Sequence, residues 1–189
     1  LILAVLKEFD AEVSDQASVV ASIKEFCFDR LSVNLREQGA SPQEVDAVLS
    51  LNPELLSEIP LRLAAVRAFA SLAEAPALAA ANKRVGNILK KVEDEVKTEV
   101  NTNLLKEPAE IALNEALSQV KPVADSAFEN GDYTTSLKSL AALKAPVDAF
   151  FDNVMVNAED VALKANRLGL LATLHQAMNR VADLSKLAS

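Results

Sequence analysis

"GASPQEVDAVLS", Gly39 to Ser50, holds the end of one helix and the start of the next within twelve residues. Gly39 suits the left-handed position that closes an α-helix. Ser41 is an N-cap, and Pro42 takes the first helical position, where its missing N–H would have no partner anyway. Glu44 stands three residues past the cap, which completes a capping box. Upstream, Val19, Val20, Ile23, Phe26, Cys27, Leu31 and Leu35 recur at helical spacing after Ser14. They predict a long helix, capped by Ser14, that runs to Gly39.

The same punctuation continues outward from this stretch. Asn52-Pro53 predicts another short helix, and Pro60 and Pro76 mark helices over 60–73 and 77–92. Residues 92–106 are charged and poorly periodic, so loop is expected there. A helix over 107–129, kinked at Pro122, precedes the "NGD" turn at 130–132, and Asp132 is expected to cap a helix over 133–144. Pro146 opens a short helix that holds Phe150 and Phe151. Asn157 is then expected to cap a helix whose Val161, Leu168, Leu171, Leu174 and Met178 share one face. No segment alternates apolar and polar residues as a half-buried strand would. The expected fold is an all-α helical bundle forming one domain over 1–189, with acidic leading helices in 1–58 and the main bundle in 59–189.

Composition supports that reading: half of the 189 residues are apolar, while Gly (4) and Pro (7) are scarce. A chain that begins at Leu1 rather than Met is expected to be a piece of a longer polypeptide. No apolar run approaches the roughly 18 residues that a membrane-spanning helix needs, so no membrane partner is expected. Cys27 is the sole cysteine and has no internal disulfide partner; a reducing, cytoplasmic setting fits. The net charge of −8 argues against nucleic acid, but its distribution weakens that argument. Residues 1–60 hold 4 basic and 11 acidic residues (−7), whereas 61–189 hold 15 and 16 (−1).

Residues for chemistry are missing. The single His175 sits among leucines with no partner motif, and one Cys with one His falls short of the four ligands of a structural zinc site. No glycine-rich phosphate loop is present. The acidic groups at 93–95 and 157–160 lack the residue order of a calcium loop. No catalytic site, cofactor or metal is expected in this chain.

The segment that departs from the rest is "AAANKRVGNILKK", Ala79 to Lys91, with four cations and no acid. At about 100° per residue, Lys83, Asn87, Lys90 and Lys91 fall in one sector, flanked by Arg84. Ala81, Val85, Ile88, Leu89 and Val92 fall on the opposite side. A solvated face of an amphipathic helix satisfies this pattern. So does a surface on which Lys and Arg hold phosphates and Asn87 meets a base edge. Gly86 weakens the helix interior by about 1 kcal/mol relative to Ala, which a close helix contact or a close ligand would offset. A second cluster, Lys164, Asn166 and Arg167, puts Lys164 and Arg167 one turn apart, again consistent with a solvated face. On charge and helix face, Arg62, Lys83, Arg84, Asn87, Lys90 and Arg167 are the candidate RNA contacts. Phe150 and Phe151 have only Val147, Val154, Met155 and Val156 as near apolar company, with no cation among them. They read as a hydrophobic plug between helices rather than a base-stacking platform.

Several blocks in order carry a family resemblance: "FCFDRLSVNLREQGASPQEVDAVLS" (26–50), "AAANKRVGNILKK", "LKEPAE" (105–110), "PVDAFFDNVMVNAEDVALKANRLGLL" (146–171) and "RVADLSKL" (180–187). Together they resemble the C-terminal region of bacterial glycyl-tRNA synthetase β subunits. That region is similar to the helical anticodon-binding domain of arginyl-type synthetases, named for an Asp-Ala-Leu-Arg motif. Its counterpart here looks like Asp160, Leu163 and Lys164, with Val161-Ala162 between Asp and Leu, and Lys164 where Arg is usual. The resemblance implies a tRNA anticodon-binding domain that holds tRNA(Gly) within an α2β2 glycine–tRNA ligase. It places ATP, magnesium and the adenylate-forming site in the separate α subunit. A rival reading makes the same helices a protein-interaction scaffold within the synthetase, without base recognition.

Overall fold

A computed structural model describes residues 16–92 and 96–188, and every regular element among them is helical. Ser14 and the acidic residues 93–95 lie outside the described residues. Helix α1 (Gln16–Glu37) ends as the sequence requires: Gly39 has φ 88°, and the Ala40 N–H reaches back to the Leu35 carbonyl at 3.0 Å. Helix α2 (Pro42–Leu49) opens on the predicted capping box. The Ser41 hydroxyl accepts from the Glu44 N–H at 3.2 Å, and the Ser41 N–H donates to the Glu44 carboxylate at 2.9 Å.

The expected helix at Asn52-Pro53 does not form. Asn52 takes φ 50°, a left-handed turn, and only a 3₁₀ turn at Leu56–Glu58 precedes α3 (Ile59–Ala70). Helix α4 (Ala75–Leu89) follows with Pro76 in its first turn. Residues 96–107 are loop except for a 3₁₀ turn at Thr102–Leu104. Helix α5 (Pro108–Glu129) then continues unbroken through Pro122.

Two further expectations need correction. The helix after Asp132, α6 (Tyr133–Ser139), stops earlier than predicted, and a 3₁₀ turn at Leu140–Leu143 leads into α7 (Lys144–Asn153), two residues ahead of Pro146. Helix α8 (Val161–Met178) is capped by Asp160 rather than Asn157. The Asp160 carboxylate accepts from the N–H groups of Ala162 and Leu163 at 2.8 and 3.0 Å, the two donors that a cap must satisfy. A last 3₁₀ turn, Leu184–Leu187, packs on α2 and α4, and the Asp183 N–H donates to the Ala47 carbonyl at 2.7 Å.

One apolar cluster runs from Leu35 to Leu184 and includes Phe69, Leu113, Phe150, Leu171 and Met178. Helix α8 runs through it and is buried at every position from Asn166 to Ala172. Helix α4 lies against α8 and α7, with its other side in solvent. The Phe pair fills the corner under α4. Phe150 is fully buried, and Phe151 meets it edge-on with ring centroids 5.7 Å apart. Asp152 and Asn153 stay exposed beside it.

Candidate nucleic-acid interface

Helix α4 separates its residues by side. Ala75, Leu78, Ala79, Ala81, Asn82 and Val85 are buried, whereas Lys83, Arg84, Asn87, Lys90 and Lys91 are exposed. Lys83, Asn87 and Lys90 follow one another at i, i+4 and i+7, so their side chains form a line along the outer surface. They make no ion pair or side-chain hydrogen bond among the described residues. Arg84 differs: its guanidinium lies over the Phe151 ring at 4.1 Å, which fixes the side chain against α7. Gly86 faces inward, toward α8. A Cβ there would stand 3.3 Å from the His175 ring nitrogen, so a close helix contact accounts for the glycine. Burial lowers the His175 pKa, with nearby Lys90 adding to the effect and Asp183 opposing it.

Two other sequence-predicted contacts are elsewhere. Arg62 is buried in α3, where it donates to the Glu58 carboxylate at 2.8 and 3.2 Å and to the Val181 carbonyl at 2.9 Å. Its guanidinium also lies over Tyr133 at 4.9 Å and Phe128 at 5.2 Å. Arg167 is buried too, paired with the fully buried Glu110 and donating to the Met155 carbonyl at 2.8 Å. Burial by itself would raise the Glu110 carboxyl. Hydrogen bonds from Arg167 and from the Glu107 and Lys106 N–H groups outweigh it and hold the group below its ordinary value. Both guanidiniums are committed to the fold, so the expectation that Arg62 and Arg167 touch RNA does not survive. Lys83, Arg84, Asn87 and Lys90 share the outer side of α4.

Sequence reasoning missed the groove at the C-terminal end of that line. It has a volume of about 1120 Å³ and lies between the end of α4, residues 96–104 and the first turns of α8. Buried polar groups on α8 hold its walls. Asn166 accepts from the Asn101 N–H at 2.7 Å and donates to the Asn101 carbonyl at 3.2 Å, and Thr173 donates to the Thr98 carbonyl at 3.3 Å. Gly169 lets this segment approach: a Cβ there would stand 2.5 Å from the Glu99 carbonyl oxygen. On the other wall, Arg167 holds the Met155 carbonyl just before Asn157. The same-helix spacing of Lys164, Asn166 and Arg167 was visible in the sequence. Nothing local showed that Asn166 and Arg167 turn inward.

An all-α bundle with a cationic helix edge beside a groove is the architecture of a helical RNA-binding module. The sequence matches the family described as "DALR anticodon binding domain" over residues 78–186, and the chain belongs to that family. The match begins within α4 and contains both the cationic line and the groove. The chain is also 64% identical, over all of its length, to the glycine--tRNA ligase beta subunit of Janthinobacterium sp. (strain Marseille). It is 65% identical over 96% of its length to that of Methylobacillus flagellatus, and 67% identical over 87% to that of Leptothrix cholodnii. It spans only 27%, 25% and 23% of those three relatives. Among the described residues, no single helix is long and apolar enough to cross a membrane, and no cluster of side chains could hold a metal ion.

Proposed function

We propose that this chain is the tRNA-gripping part of a glycine–tRNA ligase β subunit, binding the anticodon stem-loop of tRNA(Gly) while an α subunit carries out aminoacylation. The observation that carries it is the exposed line of Lys83, Asn87 and Lys90, free of ion pairs among the described residues and inside the region matched to an anticodon-binding family. Unstacked loop bases offer faces and edges that a duplex major groove hides, so a loop is where a protein reads RNA sequence. On this reading the lysines hold phosphates, Asn87 and Arg84 sit beside the backbone path, and the α2β2 assembly works in the cytoplasm with ATP and magnesium bound by α.

The test is filter binding of tRNA(Gly) to the full-length protein over a salt series. Lys83→Glu with Lys90→Glu is expected to weaken binding and to reduce the log–log salt slope by about 2, roughly one per lost phosphate contact. An unchanged affinity and slope would remove α4 from the interface.

A second reading, a scaffold for protein contacts, has its own support. Phe26, Leu55, Leu56 and Leu61 are more than half exposed on the α1–α3 side, away from the cationic line. That side suits docking to other parts of the synthetase, and the two roles occupy different faces.

A further inference from the structure

The groove beside α4 is more than a gap left by helix packing. Its floor is apolar, with Ile88, Val100 and Leu168, and its rim holds Lys91, Lys97 and Lys164. The three lysines are exposed and form no ion pair among the described residues. Buried Asn166 fixes one wall and buried Arg167 the other, so the shape is imposed by the core rather than by mobile surface groups. Lys91 directly follows Lys90, so the groove continues the line of cations along α4 without a break.

An apolar floor suits a flat ring that has left its stack, and a cationic rim suits the phosphates on either side of it. The volume exceeds the roughly 300–1,000 Å³ typical of small-molecule pockets, so more than one base fits. A polypeptide partner would be met here by three lysines with no answering acid beyond Glu99 among the described lining residues, a balance that favours a polyanion.

We propose that this groove receives unstacked bases of a single-stranded RNA loop whose phosphates run along α4, with Asn166 and Arg167 acting as positioning residues for its walls. The inference rests on the reading that the chain binds tRNA, and it names the place where bases enter.

The experiment fills the groove without altering charge. Ala165→Trp and, separately, Val161→Trp replace exposed residues that line it, Val161 being 81% exposed, so neither disturbs the core. Both are made in the full-length protein, checked by thermal melt, and titrated with an anticodon stem-loop RNA and with copies lacking one loop base each. Both variants are expected to weaken binding of the intact RNA at least tenfold with an unchanged salt slope. Loss of one particular base is expected to weaken the parent similarly and the Trp variants no further. Parent-like binding by both Trp variants, with binding still lost in the Lys83→Glu, Lys90→Glu protein, overturns the groove and leaves the tRNA reading standing. Equal weakening for every base-lacking RNA, without that coupling, overturns base entry. If the lysine pair also has no effect, the tRNA reading itself falls.

Discussion

Helices α4 and α8 carry similar polar residues and use them in opposite ways. On α4, Lys83, Asn87 and Lys90 face solvent and hold nothing within the described structure. On α8, Asn166 and Arg167 are nearly sealed from solvent, each with partners from distant parts of the chain. The difference comes from position. An edge helix has a free side where cations remain solvated and available, whereas a central helix buries its whole girth. A polar group there must find a partner or be excluded. The same residue types therefore indicate ligand binding on one helix and architecture on the other.

The comparison breaks most severely at Arg167. Arg167→Ala leaves the Glu110 carboxylate buried without its cation, and a loss of about 3–5 kcal/mol in urea unfolding is expected. A loss below about 1 kcal/mol would mean that the pair is dispensable and that Arg167 is freer than its burial indicates. Phe150→Ala belongs in the same range, about 3–5 kcal/mol, because it empties a fully buried site under α4. If that variant keeps parental stability and loses tRNA binding, the Phe pair belongs to the interface after all.

Acid is expected to act in two stages. Because the folded pKa of His175 is lowered from 6.5, the unfolded chain takes up the proton first. Stability therefore declines as pH falls below about 6.5 toward the lowered folded value, and a His175→Gln variant should lose this part of the decline. The contribution of Glu110 is complete above 4.5 and is lost as pH falls further, through its lowered folded pKa. A stability profile flat between pH 7 and 5 in the parent would contradict the buried neutral imidazole at the α4–α8 contact.

The smallest expected effect is on the outer line. Lys83→Ala and Lys90→Ala should each change stability by less than about 0.5 kcal/mol, even as tRNA affinity falls. A larger change in thermal unfolding would show that α4 contributes cations to the fold just as α8 does.

Much of the helical framework was legible because its signals are local. The Ser41 capping box, the left-handed Gly39 and the Asp132 cap each involve residues within a few positions of one another. Where local signals competed, the sequence misled. Asn52-Pro53 has the form of a helix start, yet Asn52 took the left-handed conformation that Asn tolerates and the chain turned instead. Asn157 and Asp160 both suit a cap, and the carboxylate took the role; its charge also favours the positive end of the helix dipole. The candidate interface was only partly visible. Periodicity correctly placed Lys83, Asn87 and Lys90 opposite Ala81 and Val85, but it could not tell solvent from core for Arg62 and Arg167.

By itself, the sequence determined that this protein is all-helical, where most of its helices begin, and which side of α4 is polar, because caps, prolines and 3.6-residue spacing act over a few residues. Only the tertiary structure decided which polar groups remain available. Arg62 meets the Val181 carbonyl 119 positions away, and Arg167 meets Glu110 across 57. The groove exists because Asn166 holds Asn101 across 65. Such partners come together when the core forms, and the burial that demands them is a property of the packed bundle, which no single helix carries.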